Sequence, residues 1–263
     1  DGWELSIKAL IDNADCSHKA RFTLIDADGN EKASAIADLR PIISAKLPVE
    51  DPVLWNGRKN PYLYTVRCEI FDSTTQEVTD NIDIRTGLRE YHIDSHKGFF
   101  LNGEHIKLQG VSRHQDRENM GNAITEKQHA EDVKIILDVG ANSVRLAHYQ
   151  QNSYFYDLCD ESGLLVWAEV PVISRFSPKR NENAEQQLVE LIKQNYNHPS
   201  IFCWGIENEI TIAGSASKKL ITFLKHMHKV ARHLDPTRYT TCAQLTMCPV
   251  NSPLNHITDI IGY

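Results

Sequence analysis

Asn195-Tyr196-Asn197-His198-Pro199-Ser200-Ile201-Phe202-Cys203-Trp204-Gly205-Ile206-Glu207-Asn208-Glu209 is the stretch on which the reading of this chain turns. It begins with a polar Asn-His-Pro-Ser turn, which must end any helix before it. The apolar run Ile201 to Ile206 is too short for a buried helix and suits a strand covered on both faces. The strand then delivers two carboxylates and an amide at its C-terminal end. Burying a carboxylate is costly unless it is paired or used. Glu209 is therefore the candidate catalytic acid/base, and the rest of the chain tests that assignment.

Around this stretch, from about Gly87 to Tyr263, apolar strands alternate with helical patterns. A linking strand (residues 87–93) and a hairpin-like segment (residues 99–104) lead into a first strand, Ile106 to Val111. Thr125 with Gln128 forms a capping box, followed by a stripe of Ala130, Val133, Ile136 and Leu137 that ends at Gly140. Further strands are expected at Asn142 to Leu146, Leu164 to Val170, Ser200 to Ile206, Tyr239 to Ala243 and Asp259 to Tyr263. Helices fall at Ser153 to Glu161, around Ala184 to Ile192, and at Ser217 to His233. This alternation means a parallel sheet, either doubly wound or a (β/α)8 barrel. No GxGxxG follows the first strand and no GxxxxGK[ST] follows any strand, which removes the usual support for a nucleotide-binding sheet.

From Asp1 to about Thr86 the hydrophobic period is two. Trp3 to Leu10 and Ala20 to Ile25 alternate, and Asp28-Gly29-Asn30 supplies a tight turn. Strands at Ser34 to Leu39, Ile42 to Leu47, Tyr62 to Phe71 and Val78 to Arg85 complete an antiparallel sandwich of the immunoglobulin type. The chain is thus read as two domains. Residues 1–86 form an immunoglobulin-like β-sandwich with a structural role, and residues 87–263 form a barrel.

Composition bounds the function. The 263 residues, 41% hydrophobic and 24% charged, are those of a globular protein. A net charge of −7 offers no basic patch for nucleic acid. No apolar run approaches the roughly 18–20 residues of a membrane helix, so no membrane partner is expected. Six cysteines without a CxxC pair read as buried thiols rather than as a disulfide framework or a zinc site. The chain starts at Asp1 rather than Met, so its compartment is left open.

Polar and aromatic side chains recur where these strands end. Arg113, His114 and Asp116 follow the first, His148 and Tyr149 the second, and Glu169 ends the third. Asn208 and Glu209 follow Trp204 on the fourth, and Tyr263 ends the sixth. A barrel gathers such strand ends into one site. Hydrogen-bonding groups, aromatic faces and a carboxyl suit a substrate rich in hydroxyls. Glycoside hydrolysis needs a carboxylic acid kept protonated by a partly apolar setting. Glu209 stands at the mouth of an apolar strand, and Asn208 beside it can bond the hydroxyl next to the reacting carbon.

Asn197-His198-Pro199-Ser200-Ile201-Phe202-Cys203-Trp204-Gly205, two residues, then Asn208-Glu209 resembles the acid/base signature of glycoside hydrolase family 2, which includes β-galactosidases, β-glucuronidases and β-mannosidases. A second signature is matched by Asn142-Ser143-Val144-Arg145, Ala147-His148-Tyr149, Phe155-Tyr156, Asp160 and Gly163-Leu164-Leu165-Val166-Trp167. Leu54-Trp55 and Pro61-Tyr62-Leu63-Tyr64 fit the immunoglobulin-like domain that precedes the barrel in that family. The resemblance implies a retaining exo-β-glycosidase, most readily a β-galactosidase, with β-glucuronidase or β-mannosidase as the alternatives. It makes Glu209 the general acid/base and Asn208 the hydroxyl-binding amide. His114, His148, Tyr263, Trp204 and Glu169 are assigned to the sugar pocket, and Arg145 and Arg113 become its supports. Glu207 is read as a pocket-wall or structural acid.

Leu146 and Gln150 depart from the pattern. Ile173 and Arg175 stand roughly where some β-galactosidases carry metal ligands, so no magnesium site of that type and no cofactor are expected. A retaining glycosidase also needs a second carboxylate about 5 Å from the acid/base as nucleophile. Beyond Glu209 only Asp235 and Asp259 occur, the first just past a helix end and the second at the wrong end of a strand. The expectation is an incomplete (β/α)8 TIM barrel, about six of eight strands, that carries the acid/base without the nucleophile. Alone it would be inactive, or a non-catalytic carbohydrate-binding fragment, and its open sixth strand would favour self-association.

Overall fold

A computed structural model describes residues 2–263. The chain forms two compact units that divide between His105 and Ile106. In the first unit β1 (Trp3–Leu10) pairs antiparallel with β4 (Ile42–Val49). A second sheet runs in the order β3 (Glu31–Asp38), β2 (His18–Ile25), β7 (Tyr64–Asp72), β8 (Val78–Thr86). Alternation sends Ala20, Phe22 and Leu24 of β2 inward, each 1% exposed or less. There Leu24 packs with Leu47 and Val49 of β4, and Ala20 and Phe22 pack with Ile43, two apolar clusters between the sheets. Burying a side chain such as Phe22 stabilises the sandwich by roughly 1.5–3 kcal/mol.

Between these sheets in sequence, β5 (Trp55–Asn56) and β6 (Asn60–Pro61) form a short ladder with Trp55 fully buried. Strands β9 (Tyr91–Asp94), β10 (Gly98–Leu101) and β11 (Glu104–Ile106) form a separate three-stranded sheet. Its hairpin turns on Asn102-Gly103, both at positive φ (50° and 79°), where glycine avoids the Cβ clash. Asn102 Nδ2 donates to the Trp55 carbonyl at 3.0 Å, and the Glu90 N–H donates to Asn102 Oδ1 at 3.0 Å. Those bonds hold the segment after residue 86 to the first unit, although the sequence grouped it with the second domain.

The second unit is a curled, all-parallel six-stranded sheet. Its order is β12 (Gly110–Arg113), β13 (Ser143–Leu146), β14 (Leu165–Glu169), β15 (Ile201–Asn208), β16 (Tyr239–Ala243), β17 (Ile260–Gly262). Neighbours in sequence are neighbours in the sheet throughout. A doubly wound sheet reverses its order at a switch point, so this is the order of a (β/α)8 barrel. The connections carry α1 (Glu126–Asp138), α2 (Ser153–Ser162), α3 (Asn181–Asn195) and α4 (Lys218–Leu234), and a 3-10 turn (Pro253–His256) precedes β17. Val144, Leu146, Val166, Ala168, Trp204 and Ile206 face the helices and form one core with Leu188, Leu191, Leu224 and Met227.

Local signals place the helix ends well. The Thr125 N–H donates to Gln128 Oε1 at 2.9 Å, and Gly163 closes α2 in the left-handed region at φ 71°. Four details differ from the sequence expectation. Residues 106–111 are not one strand, because Ile106 ends β11 and the first barrel strand starts at Gly110. The buried stripe of α1 is His129, Val133 and Ile136, and Ala130 is exposed. The fourth barrel strand continues through Glu207 and Asn208. Of the six cysteines only Cys159, Cys203 and Cys242 are buried, and Cys16 is exposed.

Candidate active site

A β-bulge on β15 builds the site. Gly205 pairs with Thr241 and Asn208 with Ala243, so Ile206 and Glu207 together face the single residue Cys242. Three steps along a regular strand would put Asn208 on the opposite face from Gly205. The extra residue restores the face, and Asn208 leaves the helix-facing side occupied by Trp204 and Ile206. The Glu209 N–H then donates to the Ala243 carbonyl at 2.7 Å. Glu209 takes a left-handed φ of 49° and is half-buried. Its carboxylate accepts no hydrogen bond among the described residues.

Asn208 joins a network at the C-terminal ends of three adjacent strands. Arg145 Nη2 donates to Asn208 Oδ1 at 2.7 Å and to Glu169 Oε2 at 3.0 Å. Its guanidinium lies 4.7 Å from the Trp167 ring centroid. His148 Nδ1 stands 2.6 Å from Glu169 Oε1 and 3.3 Å from Arg145 Nη2. Arginine only donates and an ionised carboxylate only accepts, and the shorter contact decides. His148 thus donates through Nδ1, which leaves Nε2 as the acceptor. Its ring meets that of His114 edge-on at 5.2 Å, and His114 is exposed.

Glu169 is fully buried, with one oxygen bonded to Arg145 and the other to His148, so it braces both. Gly205 makes room for it: a Cβ there would lie 2.5 Å from Glu169 Cβ and 2.6 Å from Trp167 Nε1. Trp204 departs from its assignment to the pocket. It is fully buried in the helix-facing core, and its Nε1 donates to Asp235 Oδ2 at 2.9 Å. Strand parity sets this, since Trp204 alternates with the inward Gly205.

Arg113 is buried behind β12, donating to Asp132 Oδ2 at 2.7 Å and to Gln151, with its guanidinium 3.9 Å from the Phe155 centroid. Tyr263 is exposed and accepts a hydrogen bond from Asn255 Nδ2 at 2.5 Å. Among the described residues no hydrogen bond links it to the Arg145 network. The other two carboxylates are structural. Asp235 binds Trp204, Thr237 and Arg238; burial pushes its carboxyl up, but the Arg238 charge and the hydrogen bonds from Thr237, Arg238 and Trp204 together outweigh burial and hold it below the ordinary range. Asp259 accepts from the Thr240 N–H at 2.8 Å, at the start of β17.

Sequence reasoning read Glu207 as a pocket-wall or structural acid but did not foresee its full burial, and it missed the loop after β14. Glu207 is fully buried, and its Oε2 accepts from the Ile210 N–H at 3.1 Å. Burial pushes its carboxyl up to about 7. Asn208 donates its N–H to the Val172 carbonyl of that loop at 2.9 Å, and Ser174 donates to the Asn208 carbonyl at 3.0 Å. Neither feature has a local signal, since both depend on pairing across the sheet. Asp157, Asp160 and His198 also offer ligand atoms within 4.8 Å of one another. Asp160 is engaged there by His198 Nδ1 at 2.6 Å and the Ser200 N–H at 3.1 Å, which anchors the turn before β15.

Comparison with known proteins accords with this geometry. Residues 93–260 match the family model described as glycosyl hydrolases family 2, TIM barrel domain, and residues 2–89 match that of glycosyl hydrolases family 2. A β-glucuronidase of Bacteroides fragilis is 41% identical over 82% of the chain and 31% of its own length. A β-galactosidase of Thermoanaerobacter pseudethanolicus is 31% identical over 90% of the chain and 32% of its own length. The crystal structure of an FMN-binding β-glucuronidase from Facaelibacterium prausnitzii L2-6 superposes with a TM-score of 0.94 at 42% identity, covering 99% of this chain and 40% of that one. The chain therefore spans about a third of the length of the curated relatives it matches. The match over both units shows that the chain belongs to glycosyl hydrolase family 2.

Proposed function

We propose that the protein containing this segment is a retaining exo-β-glycosidase, with Glu209 as its general acid/base and Asn208 holding the hydroxyl beside the reacting carbon. The observation that carries this reading is the bulge on β15. It turns Asn208 onto the barrel-facing side against Arg145 and leaves the Glu209 carboxylate uncommitted at the strand end. His114 and His148 supply imidazole edges to the same side, with Arg145 and Glu169 fixing the His148 ring. Asp235 and Asp259 are both occupied structurally, so the nucleophile comes from outside these residues. On this reading the segment by itself does not cleave.

A β-glucuronide is the favoured substrate, supported by the names of the relatives at 41% and 42% identity. A β-galactoside is the second reading, supported by the His114 and His148 pair and by the name of the relative at 31% identity. The test is hydrolysis of nitrophenyl β-glucuronide and β-galactoside by the full-length protein, with Glu209→Gln alongside. General acid catalysis contributes about 10²–10⁴-fold. The loss should be greatest for alkyl glycosides, whose leaving oxygen needs the proton, and smaller for nitrophenyl glycosides. An equal loss on both kinds of leaving group would remove Glu209 from the acid role.

A further inference from the structure

The segment after β14 walls a cleft of about 410 Å³ against the start of α3 and Phe223 of α4. That volume lies within the range of small-molecule sites, about 300–1,000 Å³. Its floor is apolar, with the Phe176 and Phe223 rings 5.6 Å apart between centroids and inclined at 33°. Around it stand Arg175, Lys179 and Arg180, and no carboxylate lines it. None of the three cations has an ion-pair partner among the described residues. All three are exposed and solvated, and together they make the rim of this opening locally basic in a chain of net charge −7. Helix α3 begins immediately after Arg180 with no side-chain cap, which adds the positive end of its dipole.

We propose that this cleft binds a small anion carrying a planar aromatic ring, the anionic group at Arg175, Lys179 and Arg180 and the ring over the Phe176 and Phe223 pair. The site shares no residue with the Arg145 network, yet its wall is the loop whose Val172 and Ser174 backbones bond Asn208 at 2.9 and 3.0 Å. An occupant therefore presses on the segment that positions Asn208.

The test is titration of the isotopically labelled chain with phenyl phosphate, phenol and inorganic phosphate, read by calorimetry and by amide shifts. Phenyl phosphate should bind saturably and at least about tenfold more tightly than either fragment, with shifts reaching the Ser174 and Asn208 amides. Arg175→Gln and Arg180→Gln should each weaken it about tenfold, through loss of a charge-assisted hydrogen bond. Lys225→Gln, exposed and away from the cleft, should change it less than about twofold. No saturation, equal binding of inorganic phosphate, or an equal effect of Lys225→Gln would each overturn the proposal. None of these readouts depends on glycosidase activity.

Discussion

Replacing Glu207 with glutamine should flatten the stability of this chain across neutral pH. Folding buries the carboxyl completely, and its polar neighbours are the Ile210 N–H at Oε2 and the Cys242 thiol, too few to offset burial. Burial raises its pKa from 4.5 to about 7, so the folded state retains a proton that the unfolded chain releases. Stability from this group is whole below the unfolded value and falls as pH rises through about 7. Integrating that shift gives a loss of roughly 2–3 kcal/mol between pH 5 and 8.5. Glutamine keeps an acceptor for Ile210 and cannot ionise. Chemical denaturation of both proteins across that range, at constant ionic strength, isolates the group, because titrations not coupled to Glu207 cancel in the difference. The Glu207→Gln minus wild-type difference should grow by roughly 2–3 kcal/mol as pH rises. Parallel curves would show that Glu207 is not held neutral and that burial does not govern its ionisation.

Trp204→Phe should cost about 1–2 kcal/mol of stability by removing the indole N–H from Asp235, and it should leave sugar affinity unchanged, because Trp204 is in the core. Unchanged stability, or weaker sugar binding seen by calorimetry, would contradict that placement. We also propose that β17, which pairs with β16 alone, makes the isolated chain associate. Sedimentation should show concentration-dependent species that Ile261→Lys reduces, and a monomer at every concentration would rule this out.

Much of the architecture was legible because its causes are local. Thr125 with Gln128, Gly163 and Ser217 bound helices where a sequence reader would put them, since a cap acts over three or four residues. The alternation of Ala20, Phe22 and Leu24 likewise declares which face of β2 is buried. The β16 boundaries, Tyr239 to Ala243, coincide with the sequence expectation for the same reason.

Side-chain direction at the site was not legible. Trp204 and Asn208 lie four residues apart and would share a face in a regular strand, and both were assigned to the pocket. The bulge opposite Cys242 separates them, because two residues of β15 must span one residue of β16. Glu169, Arg145 and His148 were recognisable as polar strand ends, but only the sheet register shows that Glu169 holds the other two. The sequence by itself determined the strands, the helices and the polar residues brought to the strand ends, through propensities and periods that act within a few residues. The tertiary structure decided which of those residues face the barrel, since that depends on hydrogen-bond register between strands far apart in sequence, as where Arg145 pairs with Trp167 and Gly205 with Thr241. Glu209 was marked from the sequence alone, and its left-handed backbone and the Ala243 bond that positions it came only with the fold.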